Sequence, residues 1–372
     1  MHFAQCSMLH FILLLAQLST TFSCTTVHVT TEDDNLVVGR TMELGGSYID
    51  SLWGAVVHPR GDSNLSHGFV SFSAVEGDTD VDVVIVDGMN EYGFTVSVQT
   101  HQQAQYQDLE LKDLSKPHIF IPSVPKHLLE RCRTIQEARS YLEAVVVFGN
   151  NVPRSDRVHW SVVDEFGDTL VVEYINGELV MSENIAGVLT NDPHYTWHLQ
   201  NLNNYAAIGT NWADASSWSL DISGKKELAT QDELPSGISH GVNLLGLPGG
   251  YTPANRFVRA FVLKQHTLQI NPPQNIMDAM KVVNGLINSV HIILGMIPSD
   301  NGNPLNKMES TEWSIMKLPM QRKLFYRSYD NFVWRSIDLQ GIDFVAGKPQ
   351  RFFMLSDEDT DLKVEDYTDR LH

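Results

Sequence analysis

Of the three cysteines in this 372-residue chain, Cys24 is the one whose position could do chemistry. It follows an apolar stretch, residues 11–18 (FILLLAQL), and a run of small and polar residues, 19–23 (STTFS). The apolar stretch is too short to span a bilayer, and Thr21 and Ser23 stand where a leader-cleaving protease prefers small residues. Removal of residues 1–23 would make Cys24 the first residue of the mature protein. Such a cysteine carries a thiol nucleophile and, on the same residue, a free α-amino group of ordinary pKa ~7.7 to 8, which can take the thiol proton without a separate histidine. The plainer alternative is a small buried hydrophobe opening a strand.

The leader has an atypical start, with no Lys or Arg and only the α-amino group and His2 for positive charge. It still reads as a signal peptide, which implies a secreted, periplasmic or lumenal protein. A lipidated cysteine would call for Leu three places before Cys24, where Thr21 stands. Cleavage would also remove Cys6, leaving Cys24 and Cys132, too few and too irregularly spaced for a disulfide framework. Cys132, in LLERCRTIQEARSYL, falls on an expected amphipathic helix and reads as an inert thiol.

The formal charge of -19 lies wholly outside the leader, which contains no Asp, Glu, Lys or Arg. That balance argues against nucleic acid and anionic membranes as partners, since both demand basic patches.

These residues need a frame to hold them. Residues 24–31 (CTTVHVTT) and 36–44 (LVVGRTMEL) flank a turn-rich EDDN and read as a hairpin. Strand patterns continue over 55–58, 69–75, 81–86 and 94–99. Apolar residues at helical spacing mark helices over 127–144 and 276–290, the second with Ile276, Met280, Val283, Ile287 and Val290 on one face. A second hairpin spans 158–164 and 169–174, and late strands run over 312–317 and 324–327. Strand blocks alternating with helix blocks indicate an α+β fold. With no repeat or linker, residues 24–345 read as one catalytic domain, followed by an acidic tail over 346–372 that includes SDEDTDLKVEDYTD.

Several motifs stand in one order: Cys24-Thr25-Thr26, GRTME at 39–43, DGMNEYG at 87–93, LTNDP at 189–193 followed by HLQNL at 198–202, LPGGYTP at 247–253, and RFVR at 256–259. Together with Thr311-Glu312-Trp313 and YRSYDN at 326–331, they resemble the choloylglycine hydrolase family of N-terminal nucleophile hydrolases, which includes penicillin V acylases and bile salt hydrolases. The likeness covers roughly residues 24 to 340. It implies a four-layer αββα sandwich and an amidase that opens linear carbon–nitrogen bonds.

The resemblance also implies roles. Cys24 would attack the amide carbonyl and form an acyl-enzyme that water hydrolyses. Arg40 would sit beside the sulfur and favour its thiolate. Asn191 would donate to the developing oxyanion, an interaction worth roughly 3 kcal/mol in a dry site. Arg256 would hold the polar network together, while Arg259 reads as a helix-surface residue. Residue type alone would leave Asn191 a turn or cap residue and Arg40 a surface arginine. Two positions depart from the common pattern. Glu43 stands where many members have Asp to orient the α-amino group. Thr100, or Gln99 with a slip of one, stands where many carry Asn or Tyr; its backbone N–H could still serve the oxyanion hole.

No metal or organic cofactor is implied. His194 and His198 have the i,i+4 spacing of helical zinc ligands, but no third ligand or Glu-bearing motif accompanies them, so they read as helix-surface histidines. Asn64-Leu65-Ser66 is a glycosylation sequon in a polar loop. The expected substrate is a small-molecule N-acyl amide of penicillin V or conjugated bile salt type. One alternative is a hydrolase of fatty N-acyl amides or acyl lactones; another is a non-catalytic binding protein on the same fold. The resemblance further suggests a homotetramer, although residues 204–240 carry no recognisable assembly motif.

Overall fold

The computed structural model describes residues 23–45, 53–61, 66–74, 84–109, 115–206, 208, 244–297, 308–348 and 351–355. The leader up to residue 22, the sequon at Asn64, nearly all of 204–240 and the end of the chain from 356 lie outside them.

In chain order the first half contains β1 (Thr25–Thr30), β2 (Leu36–Gly45), β3 (Trp53–His58), β4 (Phe69–Ala74), β5 (Val84–Asn90), β6 (Thr95–Thr100) and β7 (His118–Phe120). Helices α1 (Val124–Arg131) and α2 (Ile135–Glu143) follow, then β8 (Val146–Phe148), β9 (Val158–Val163), β10 (Thr169–Ile175), β11 (Glu178–Ser182) and β12 (Val188–Leu189). The remainder holds α3 (Tyr195–Asn201), α4 (Pro253–Ile270), α5 (Ile276–Val290), β13 (Glu309–Leu318), β14 (Lys323–Ser328), β15 (Arg335–Asp338) and β16 (Arg351–Met354).

Two large antiparallel sheets form the centre. One runs β12-β1-β2-β13-β14-β15, the other β11-β10-β9-β6-β5-β4-β3-β16. Their inner faces meet in a core that includes Cys24, Met42 and Trp313 from the first and Val70, Phe72 and Met89 from the second. On the outer face of the first sheet, Val283 and Ile287 of α5 pack on Val27, Val29 and Val37. Over the second, Leu128 and Leu129 of α1 join Phe94 and Val96. This is the α+β, four-layer αββα arrangement, with helices covering the two faces that the sheets do not cover for each other.

The period-two alternation of β2 sets the geometry of the site. Arg40 and Met42 turn inward between the sheets, whereas Gly39 turns out beneath α5. A Cβ on Gly39 would lie 2.3 Å from Cγ1 of Val283, so this approach of helix to strand needs glycine.

Three sequence expectations change. The helix expected over 127–144 is broken in two: Cys132 is extended at φ -113, and Thr134 restarts the chain through a capping box with Glu137. Cys132 therefore caps a helix rather than lying in one, and burial pushes its thiol up to about 12. The segment assigned to the tail also contributes β16, which pairs with β3 from Arg351↔Val57 to Met354↔Gly54. Periodicity alone did not single out α4, which carries both arginines of the RFVR motif.

Candidate active site

Cys24 stands just ahead of β1, and strand pairing on both sides fixes its neighbours. Strand β1 pairs with β12 at Thr26↔Leu189 and with β2 at Thr26↔Arg40. Two residues further along those antiparallel registers, Asn191 and Met42 come opposite Cys24. The backbone N of Cys24 lies 3.1 Å from Oδ1 of Asn191, and its Sγ lies 3.5 Å from Sδ of Met42.

Arg40 reaches the sulfur from β2, with Nη2 3.4 Å from Cys24 Sγ and 2.5 Å from the Val98 carbonyl oxygen. Its Nη1 stands 3.7 Å from Asp87 Oδ2, and its guanidinium lies over the Trp313 ring at 5.0 Å. Asp87 is itself held by Lys317, Nζ to Oδ1 at 2.7 Å, and by the Ser97 hydroxyl at 2.7 Å. Arg40, Asp87 and Lys317 are all fully buried. A buried arginine needs such a counter-charge to stay in place.

Arg256 arrives from the first turn of α4, which Thr252 caps by accepting from Asn255 N and Pro253 opens at a position suited to proline. Its Nη2 donates to Asn191 Oδ1 at 2.7 Å, its Nη1 to the Cys24 carbonyl oxygen at 2.9 Å and to Thr25 Oγ1 at 2.6 Å. The Asn191 side-chain NH₂ donates to the Thr100 carbonyl oxygen at 2.9 Å. That carbonyl is available because Thr100 sits opposite Val158 at a position whose peptide groups point away from β9, while His101 N next to it donates to Arg157 O.

The structure thus gathers Cys24, Arg40, Thr100, Asn191 and Arg256 in one place. Glu43 is buried nearby at the outer side of β2. It accepts from Thr311 Oγ1 at 3.1 Å, and its carbonyl oxygen accepts from Ser23 N at 3.2 Å. Burial raises its carboxyl to about 7, against the opposing charge of Arg256. Burial likewise raises the Cys24 thiol to about 11, outweighing Arg40. Arg40 acts in the expected direction, pulling the thiol down, but burial outweighs it, so a nucleophile at this position calls for a base.

Arg259 departs from its expected place on a helix surface. It is buried, and its guanidinium donates to the carbonyls of Pro248 (2.6 Å), Gly250 (2.8 Å) and Ser289 (2.8 Å), tying the LPGGYTP loop to the end of α5. The two histidines also differ from expectation. His194 precedes α3 as its N-cap, whereas His198 is fully buried inside it with Nε2 2.9 Å from the Asn191 carbonyl oxygen. His194 Nδ1 meets His101 Nε2 at 2.9 Å instead. His101, Glu173 and His194 bring one potential ligand atom each within 4.8 Å of one another. Both oxygens of Glu173 already accept from Tyr195 N, however, at 3.0 and 3.2 Å.

Beside the sulfur a cavity of about 70 Å³ opens between β5, β6, β9 and α1. Val84, Ile85, Val86, Val98, Val158 and Trp160 give it an apolar wall, and Asp156 and Arg40 supply charge.

A model of linear amide C–N hydrolases, choloylglycine hydrolase family, matches residues 24–349. The chain belongs to the choloylglycine hydrolase family. As a member it is a hydrolase of linear amide C–N bonds other than peptide bonds. It is 24% identical over 332 residues to the bile salt hydrolase/transferase of Clostridium perfringens, covering 85% of this chain and 92% of that one. With the bile salt hydrolase/transferase of Lactiplantibacillus plantarum it shares 28% identity over 283 residues, 74% of this chain and 79% of that one. A cysteine-to-alanine mutant of the conjugated bile acid hydrolase from Clostridium perfringens superposes with a TM-score of 0.73 at 21% identity, over 93% of this chain and all of that one. For penicillin V acylase from Agrobacterium tumefaciens the TM-score is 0.64 at 21% identity, over 92% and 94% of the two chains. These choloylglycine hydrolase relatives share the sandwich.

Proposed function

We propose that the protein is exported, cut after Ser23, and then hydrolyses N-acyl amides through Cys24 as an N-terminal nucleophile. The observation that carries this reading is the Cys24 backbone nitrogen, 3.1 Å from Asn191 Oδ1, on the same residue whose sulfur faces Arg40 and an apolar cavity. Cleavage turns that peptide nitrogen into the amine that the buried, neutral thiol requires. The family match beginning at residue 24 supports the same boundary.

In this mechanism the α-amine removes the thiol proton as sulfur attacks the amide carbonyl. The proton then passes to the departing amine, and water cleaves the acyl-enzyme with the α-amine again as base. The Asn191 NH₂ carries two hydrogens, so it can serve the Thr100 carbonyl and an oxyanion together. The Thr100 N–H, turned to the same side of β6 as its carbonyl, is the second donor. Arg256 fixes Asn191 and the Cys24 carbonyl, Arg40 steadies negative charge at sulfur, and Glu43 takes the place of the Asp that orients the α-amine in many family members.

The cavity favours one acyl class. Its walls are chiefly branched aliphatic, with Trp160 as an aromatic contributor, which suits a flexible aliphatic acyl chain better than a phenoxyacetyl group. A hydrolysis panel of fatty-acyl, conjugated bile salt and phenoxyacetyl amides tests this with the processed protein. The reading predicts the highest kcat/KM on an aliphatic acyl amide. Preference for phenoxyacetyl would reverse the acyl assignment, and no turnover of any N-acyl amide would overturn the proposal.

A further inference from the structure

Behind Asn191 lies a buried pair that the roles above leave unused. His159 of β9 and Glu173 of β10 come opposite each other one step beyond the pairing Trp160↔Val172, and their side chains are 0% and 1% exposed. His159 Nδ1 lies 3.1 Å from Glu173 Oε1, and His159 Nε2 lies 3.0 Å from the Thr190 carbonyl oxygen. A peptide carbonyl can only accept. Both oxygens of Glu173 accept from Tyr195 N, which is the behaviour of a carboxylate. A neutral imidazole has one N–H, but two acceptors facing its two nitrogens require two.

We infer that His159 is a buried imidazolium paired with the Glu173 carboxylate, and that the pair is a positioning element for amide hydrolysis, locking the Thr190–Asn191 turn that presents the Asn191 side chain beside Cys24. This rests on the reading of Asn191 as an oxyanion donor. The surroundings are consistent with a single cation. His101 stacks on the His159 ring at 4.7 Å between centroids, and burial together with its histidine neighbours holds it far below the usual range. His198, which supports the Asn191 carbonyl, is lowered by burial to about 4 and is neutral as well. From the same turn, Thr190 Oγ1 donates to the Pro253 carbonyl oxygen at 3.1 Å, joining the pair to the helix start that carries Arg256. Buried ion pairs stabilise folds weakly, and fixing one geometry is their better-attested use.

The test uses processed protein labelled with ¹⁵N-histidine near neutral pH. His159, assigned by the signal missing from His159→Gln, should show two protonated ring nitrogens; a neutral ring would overturn the pair without needing any variant to be active. Glu173→Gln, checked for native circular dichroism, should convert the ring to a neutral tautomer. It should also lower kcat about tenfold or more while KM stays within about threefold, the pattern of an interaction felt in the transition state. Unchanged kcat, or a loss confined to KM, would refute the positioning role. Adding Glu173→Gln to Asn191→Ala should cost little further, because the pair acts through Asn191; fully additive losses would contradict that. Asn191→Ala alone tests the oxyanion reading, so its failure is separable from that of the ion pair.

Discussion

The side-chain oxygen of Asn191 accepts from two residues at once, the backbone nitrogen of Cys24 at 3.1 Å and Nη2 of Arg256 at 2.7 Å. This leaves the amide nitrogen of Asn191 to face Thr100, so the side chain has only one orientation that satisfies its neighbours. Asn191→Ala would remove the anchor of the Cys24 nitrogen and, on the proposed mechanism, an oxyanion donor as well. Steady-state kinetics should show a loss in kcat of about 10²-fold or more. Activity within a few-fold of the parent would contradict the role.

Asp87 lies between two buried cations, with Lys317 at 2.7 Å and Arg40 at 3.7 Å. Asp87→Asn would strand positive charge in the interior, and denaturant unfolding should register a loss of about 3–5 kcal/mol. Combining it with Lys317→Met should recover part of that loss, the remainder reflecting Arg40, which still lacks its counter-charge. A single variant within about 1 kcal/mol of the parent would mean that the charges are less buried than the structure indicates.

Glu43 predicts a pH dependence of stability. Its carboxyl is raised from 4.5 to about 7 by burial, so the unfolded chain releases this proton first as pH rises. The stabilisation is complete below about 4.5 and is lost as pH rises through about 7, amounting to up to about 3 kcal/mol from this group. Unfolding curves of Glu43→Gln should therefore be flatter across that window than those of the parent. Equal slopes would show that Glu43 is ionised throughout.

Much of this site was legible because strand pairing is local in sequence. The 24–31 and 36–44 hairpin places Arg40 near Cys24, whereas Asn191 was singled out by its motif alone and strand β12 ahead of it was not foreseen. The partners of buried charges were not legible: Lys317 and Asp87 are 230 positions apart, and a lysine in a strand looks like any solvated lysine until its sheet is covered. Arg259 and His198 were misjudged for the same reason, since a polar residue at helical spacing usually faces water. The break at Cys132 was hidden because apolar spacing continues across it, whereas Thr134 and Glu137 mark the restart.

Arg259 offers a separate check on the LPGGYTP loop. Arg259→Ala would leave three carbonyls without their shared donor, at a cost of about 1–3 kcal/mol for each that stays buried. Hydrogen exchange over residues 247–252 should accelerate. Protection equal to that of the parent would show that the loop is held by other contacts.

The central claim is that Cys24 acts only as the first residue of the chain. Two purified forms test it most directly, one beginning at Cys24 and one retaining Ser23, with N-termini verified by mass spectrometry and amide hydrolysis measured on the same substrate. The account predicts turnover and a thioester-linked acyl-enzyme in the first form, and neither in the second while Ser23 remains. Equal hydrolysis by both would show that the α-amine of Cys24 is not the base.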